Sequence, residues 1–190
     1  MPRFAVSSWS LDGLLGSGTP LLEIPGLLRQ FGIFSLEICH FHLPATDSAY
    51  LETLRQRLEA AKIELFSILI DAGNIASSDP VQLETDTAFI EHWMGIASSL
   101  GANRVRIDAG LEPPSPEVIV QSANQLRAFA QSAALSGLQV STENWHTTSQ
   151  NPDALLEILK RCDGTVGLCA DTGNAEATTD KYQTLALLFP

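Results

Sequence analysis

The stretch GLQVSTENWHTTSQNPDALLEILKRCDGTVGLCADTGN, Gly137 to Asn174, decides how this chain is read. Gln139-Val140-Ser141-Thr142-Glu143 alternates with period two, as a strand does, and ends on a carboxylate. Asn151-Pro152 is a cap followed by a first-turn proline, which opens a helix to Cys162. Val166 to Asp171 reads as a second strand, again ending on a carboxylate. Parallel strands joined by a helix carry both tips to one edge of the sheet. Two acids side by side there are costly to ionise unless a cation sits between them. The functional reading is a divalent-metal site opening onto a pocket. The competing reading is two unrelated acids close to loops.

The same unit repeats outward from this stretch. Phe4 to Trp9 is a plausible first strand, followed by a Gly-rich loop, Asp12 to Gly18. A helix begins around Pro25 with Ile24, Leu27, Leu28 and Phe31 on its apolar face, and Gly32 ends it. Ser35 to Cys39 is a strand running into His40-Phe41-His42, and Ser48 to Ala61 is a helix with Leu51, Leu54 and Leu58 in one stripe. Glu64 to Ile70 is nearly all apolar, as a buried parallel strand is. A long turn, Asp71 to Pro80, leads to a helix reaching Leu100, in which Trp93 and Met94 are core residues. Arg104 to Asp108 alternates polar with apolar, which predicts a polar interior lining; the local expectations are an Arg106–Asp108 ion pair and a Glu37 that lines the pocket mouth or neutralises Arg106. Ser115-Pro116 caps a helix with Ile119, Ala123, Leu126 and Ala130 inward, and a last helix starts near Thr179.

Six strand–helix units of about thirty residues each make up the chain. No linker or low-complexity tract interrupts them, so residues 1–190 are expected to form one domain. No GxGxxG or Walker-type loop follows a strand, which removes the signature of a nucleotide-binding open sheet. Polar residues repeated at the strand tips favour an α/β fold of (β/α)8 barrel type with about six units present, an incomplete barrel lacking strands seven and eight.

Composition narrows the function. With 190 residues, 45% hydrophobic and 17% charged, the chain has the make-up of a folded globular protein with a substantial core. A formal net charge of -11 argues against a nucleic-acid backbone or an anionic membrane as partner. No apolar run approaches the roughly 20 residues of a spanning helix, and MPRFAVSSWS lacks the features of a secretory signal. Three cysteines, Cys39, Cys162 and Cys169, without metal-type spacing suggest reduced thiols and a cytoplasmic location.

The strings FGIFSLEICHFHLP, STENWH and, most of all, VGLCADTGNA resemble the xylose isomerase-like TIM barrels. That superfamily holds sugar isomerases and epimerases, inosose-processing enzymes and the endonuclease IV-type repair enzymes. The resemblance runs from strand one to the helix after strand six. It implies one divalent metal, commonly manganese, magnesium, cobalt or zinc, held by Glu, Asp, His and Glu on strands five to eight. Glu143 matches the first ligand and Asp171 the second. The chain ends before the other two strands, so the expected metal is weakly held. Asn174 stands where relatives often have His. Asn can hydrogen-bond a sugar hydroxyl but is a poor transition-metal ligand.

Sugar isomerisation or epimerisation removes a proton from a carbon next to an oxygen that a cation has polarised. On the resemblance, Glu143 is the catalytic base and a metal ligand, and Asp171 is a ligand only. Trp9, His42, Asn144, His146 and Asn174 are candidate substrate contacts. Four of them have a plainer alternative: packing for Trp9, a solvated loop for His42, ordinary loop polarity for Asn144 and His146. Three functions are weighed. The first is a metal-dependent sugar, sugar-phosphate or inositol-type isomerase or epimerase, in a truncated form if the barrel is incomplete. The second is a non-catalytic half-barrel that binds a small molecule or a protein. The third is an abasic-site endonuclease, which the acidic composition disfavours. The expected partners are a sugar-like small molecule and, through unpaired edges of strands one and six, a second copy of the chain.

Overall fold

The computed structural model describes residues 4–177 and 180–189. Six strands follow one another in a single sheet: β1 (Val6–Ser7), β2 (Ser35–Cys39), β3 (Glu64–Ile70), β4 (Arg104–Ile107), β5 (Gln139–Glu143) and β6 (Val166–Cys169). Their spatial order is the chain order, β1-β2-β3-β4-β5-β6. Between and after them run α1 (Asp12–Gly16), α2 (Ile24–Gln30), α3 (Ser48–Ala61), α4 (Pro80–Ser99), α5 (Pro116–Ala134), α6 (His146–Ser149), α7 (Pro152–Arg161) and α8 (Lys181–Leu188). Two compact units divide the chain, Met1–Ile70 with Trp93–Val105, and Asp71–His92 with Arg106–Pro190.

In the first unit β1 and β2 pair in parallel, with Val6 opposite Leu36 and Ser7 opposite Glu37. β2 pairs in parallel with β3, from Ser35 opposite Glu64 to Cys39 opposite Leu69, with a bulge between Leu36 and Glu37. Leu36, Ile38, Leu54 and Ile68 are fully buried, and Trp93 and Met94 join them in the core. The stripe Leu51, Leu54, Leu58 of α3 is buried as its helical spacing requires. Asp47 caps that helix, its carboxylate accepting the N–H groups of Ala49 and Tyr50 at 3.1 Å each.

In the second unit β5 and β6 are parallel, with Val140 opposite Val166 and Glu143 opposite Cys169. α5 turns Ala123, Leu126, Phe129, Ala130 and Ala133 inward, and α7 turns Ala154, Leu155 and Ile158 inward. The two helices pack on each other, and α5 also packs on β5. Each fully buried leucine or isoleucine contributes about 1.5–3 kcal/mol of transfer free energy. Ser115 and Asn151 cap α5 and α7, accepting from Val118 N at 3.3 Å and Ala154 N at 3.0 Å. Both helices carry proline in the first turn, where its missing N–H has no helical partner to lose.

Most expected boundaries agree with these to within a residue or two. The first strand is shorter than expected, because the chain turns into a 3-10 segment, Ser8–Leu11, and Asp12–Gly16 is a short helix instead of a loop. The expected start of the last helix near Thr179 lies outside the described residues. All three cysteines are free thiols, Cys39 and Cys162 buried and Cys169 half-buried. Among the described residues no helix is long and apolar enough to cross a membrane.

Candidate functional site

Charged side chains gather in the second unit, most of them buried and Asp171 exposed. Asp71 follows β3, Arg106 lies in β4 with Asp108 just after it, Glu143 ends β5, and Asp171 stands two residues past β6. The Arg106 guanidinium forms ion pairs with both the Asp71 and Glu143 carboxylates. All three side chains are buried, at 7%, 2% and 4% exposure, so this is a desolvated triad whose charges depend on one another. The centroid of the half-buried Trp145 ring lies 5.6 Å from the guanidinium carbon, a cation–π contact.

The expected Arg106–Asp108 pair does not form. Arg106 reaches along the strand ends to acids on other segments, and Asp108 meets His146, with Oδ2 at 3.4 Å from Nε2. Asp108 is 3% exposed, and its Oδ1 is buried without a hydrogen-bond partner among the described residues, as is Thr142 Oγ1. His146 has φ of 59°, uncommon for a non-glycine residue, and its ring stacks on Trp145 at 4.0 Å and 24°. It opens the short helix α6, which the polar run His146-Thr147-Thr148-Ser149 did not announce.

Glu143 and Asp171 both meet Asn174. The Asn174 side-chain amide donates to Glu143 Oε1 at 2.8 Å. The backbone N–H groups of Gly173 and Asn174 donate to Asp171 Oδ1 at 2.5 and 3.2 Å. Asn174 thus joins the two carboxylates that the strand pattern singled out. Asn144, expected as a substrate contact or as an orienter of Glu143, bonds to the Asp171 main chain. Its amide donates to the Asp171 carbonyl at 2.8 Å and its carbonyl accepts the Asp171 N–H at 2.7 Å. Asn144 is 3% exposed.

Loops of the same unit are tied together. Asn74 donates to Glu112 Oε1 at 3.0 Å and accepts from Leu111 N at 3.0 Å. Thr148 Oγ1 donates to the Glu112 carbonyl at 2.7 Å, and Gln121 donates to the Ser77 carbonyl at 2.7 Å. Gly110 makes this possible: its φ is 132°, and a Cβ there would lie 2.5 Å from Ala76 Cβ.

In the first unit Trp9 and His42 belong to a separate cluster. Trp9 and Phe41 meet edge to face at 5.0 Å, and Trp9 is 46% exposed. Both ring nitrogens of His42 are engaged, Nδ1 with Ser8 Oγ at 2.8 Å and Nε2 with Asp12 Oδ1 at 3.2 Å. Ser8 Oγ also accepts the Cys39 N–H at 2.8 Å, which leaves its own proton for His42 Nδ1. Trp9 thus keeps a ring face open, and His42 is held by Ser8 and Asp12.

For a divalent cation the Glu143–Asp171 pair is right in kind, since carboxylate oxygens suit hard cations. It is short in number: no group of three or more His, Cys, Asp or Glu side chains among the described residues forms a metal centre. Sequence reasoning missed the Arg106 triad and the Asp108–His146 contact. The available signal was an acid at the end of each of four successive strands.

Residues 26–188 match the family model described as xylose isomerase-like TIM barrel. Among curated proteins no sequence matches the chain. Similar solved structures include the probable 3-DHS dehydratase AsbF of Bacillus anthracis, involved in petrobactin synthesis, with 18% identity and TM-score 0.78 over 100% of this chain and 70% of that one. A D-tagatose 3-epimerase-like protein has 18% identity and TM-score 0.77, over 98% of this chain and 71% of that one. A xylose isomerase-like TIM barrel protein of Mycobacterium smegmatis in complex with magnesium has 19% identity and TM-score 0.66, over 87% of this chain and 62% of that one. Identities this low speak for the fold: six parallel strands with flanking helices, part of a TIM-type barrel.

Proposed function

Because the chain belongs to the xylose isomerase-like TIM barrel family, we propose that it is an isomerase or epimerase of a sugar-like small molecule. The proposed reaction moves a proton at a carbon next to an oxygen-bearing carbon. One observation carries the reading: Glu143 and Asp171, at the ends of adjacent parallel strands, converge on Asn174. A sugar-like substrate is supported by the neighbour described as a D-tagatose 3-epimerase-like protein. The net charge of -11 favours a small molecule over nucleic acid. Three free thiols suit a reducing, cytoplasmic compartment.

Glu143 and Asp171 are the residues that would hold a divalent cation such as manganese, magnesium, cobalt or zinc. When bound, the cation would polarise a substrate oxygen and acidify the neighbouring C–H. The chain's own residues divide the remaining work. Glu143 takes and returns the proton. Its Oε2 is committed to Arg106 and its Oε1 to the Asn174 amide. A neutral amide holds a carboxylate less strongly than a guanidinium does, so Asn174 is the contact that gives way to substrate. Its freed amide is then available to a substrate hydroxyl. Asn144 keeps the Asp171 main chain in place. His146, half-exposed and held by buried Asp108, offers a polar contact to a second hydroxyl.

The test is proton exchange. Ketohexoses incubated with the protein and manganese in heavy water should lose the proton signal at the reacting carbon by NMR. Glu143→Gln should slow that exchange by about a hundredfold or more, the scale of a lost general base. Exchange at the wild-type rate in Glu143→Gln would contradict the reading.

A further inference from the structure

We propose that Arg106 is a built-in counter-ion that competes with a divalent cation for Glu143, and so sets how weakly this chain holds metal. The inference rests on the reading of Glu143 as a cation ligand, but its test does not depend on finding a substrate.

Three observations point to Arg106. First, its guanidinium is buried between Asp71 and Glu143 and pairs with both. Second, the pairing uses Glu143 Oε2 and leaves Oε1 to Asn174, so neither oxygen is idle. A cation that reaches Glu143 must displace the Asn174 amide and sit near a fixed positive charge, or displace the guanidinium itself. Third, the Trp145 ring 5.6 Å from the guanidinium carbon adds a contact that favours the cationic side chain where it is. The acid pair alone would attract a divalent ion, and the buried guanidinium opposes it at short range and low dielectric. Glu143 already has a positive partner without metal, which makes metal binding an exchange of one counter-ion for another.

Calorimetric titration with manganese chloride, on the full chain, tests this. Arg106→Gln should bind manganese at least tenfold more tightly than wild type, and manganese should raise its melting temperature more than it raises that of the wild type. The gain should vanish in Arg106→Gln combined with Glu143→Gln, because the competition is for that carboxylate. If Arg106→Gln alone does not fold, Arg106→Gln with Asp71→Asn removes one charge of each sign, keeps the local balance, and should show the same gain. Affinity equal to or weaker than wild type in the folded variant overturns the proposal. So does a gain that persists without Glu143, which would reflect a general change of charge. Failure of the exchange assay with normal manganese behaviour would count against the proposed reaction and leave the counter-ion role intact.

Discussion

Asn144 grips Asp171 by the main chain, donating to its carbonyl at 2.8 Å and accepting its N–H at 2.7 Å. One side chain at the end of β5 thereby fixes the segment that follows β6 and carries the Asp171 carboxylate to Asn174. Both bonds are made by a residue that is 3% exposed. Asn144→Ala should cost about 2 kcal/mol of stability, at about 1 kcal/mol net for each bond lost. The denaturation midpoint in urea checks this, and an unchanged midpoint would show that the clamp carries no stability.

Gly110→Ala should be more damaging than its size suggests. The backbone there has φ of 132°, and the added methyl would meet Ala76 Cβ at 2.5 Å and Thr148 Oγ1 at 3.0 Å. Overpacking and backbone strain together should destabilise by about 2 kcal/mol or more. Thr148 also bonds the Glu112 carbonyl, so the loop layer around it should loosen. Hydrogen exchange of the 108–112 and 146–149 amides reports this directly.

His146 separates stability from activity. Its φ of 59° is a conformation that asparagine tolerates better than most residues. His146→Asn should therefore keep the melting temperature or raise it slightly. The same change removes the imidazole that faces Asp108 and should lower turnover in the exchange assay. A large fall in melting temperature would show that the stacking on Trp145 matters more than the backbone strain.

The thiols give a pH prediction. Burial pushes the Cys162 thiol above its ordinary range, with the charge of Arg127 a smaller opposing influence. At pH 8 Cys162 and Cys39, both buried, should react slowly with a thiol reagent, and half-buried Cys169 should react fastest. The raised value also fixes a sign. Above the ordinary cysteine range the unfolded chain releases this proton before the folded one does. Cys162 then lowers stability as pH rises towards its folded-state value, and contributes no such loss below the unfolded-state value. Cys162→Ala should flatten that alkaline decline in a series of thermal melts.

Local pattern made most of the fold legible. The apolar run Glu64–Ile70, the alternation Gln139–Glu143 and the stripe in Ser48–Ala61 each carry their structure in a few adjacent residues, and the helix caps Ser115 and Asn151 mark their own positions. The placing of an acid at the ends of β5 and β6 was legible for the same reason. The pairing of those charges was not. Arg106 and Asp108 are neighbours in sequence, which suggested a local ion pair, yet the guanidinium chooses Asp71 and Glu143, and Asp108 takes His146. Such choices depend on how strand ends lie side by side, which no local pattern encodes. The positive φ of His146 and the Asn144–Asp171 clamp belong to the same class.

The account depends most on Glu143 and Asp171 acting as one site. Manganese titration of the wild type, Glu143→Gln, Asp171→Asn and the double variant measures this as a thermodynamic cycle. The account predicts weak binding in the wild type, on the order of millimolar, as expected of a site with few protein ligands. Each single change should abolish most of it, and the double change should add little further loss. Manganese binding that survives Glu143→Gln, or losses that simply add, would show that the two carboxylates do not share an ion and would contradict the account.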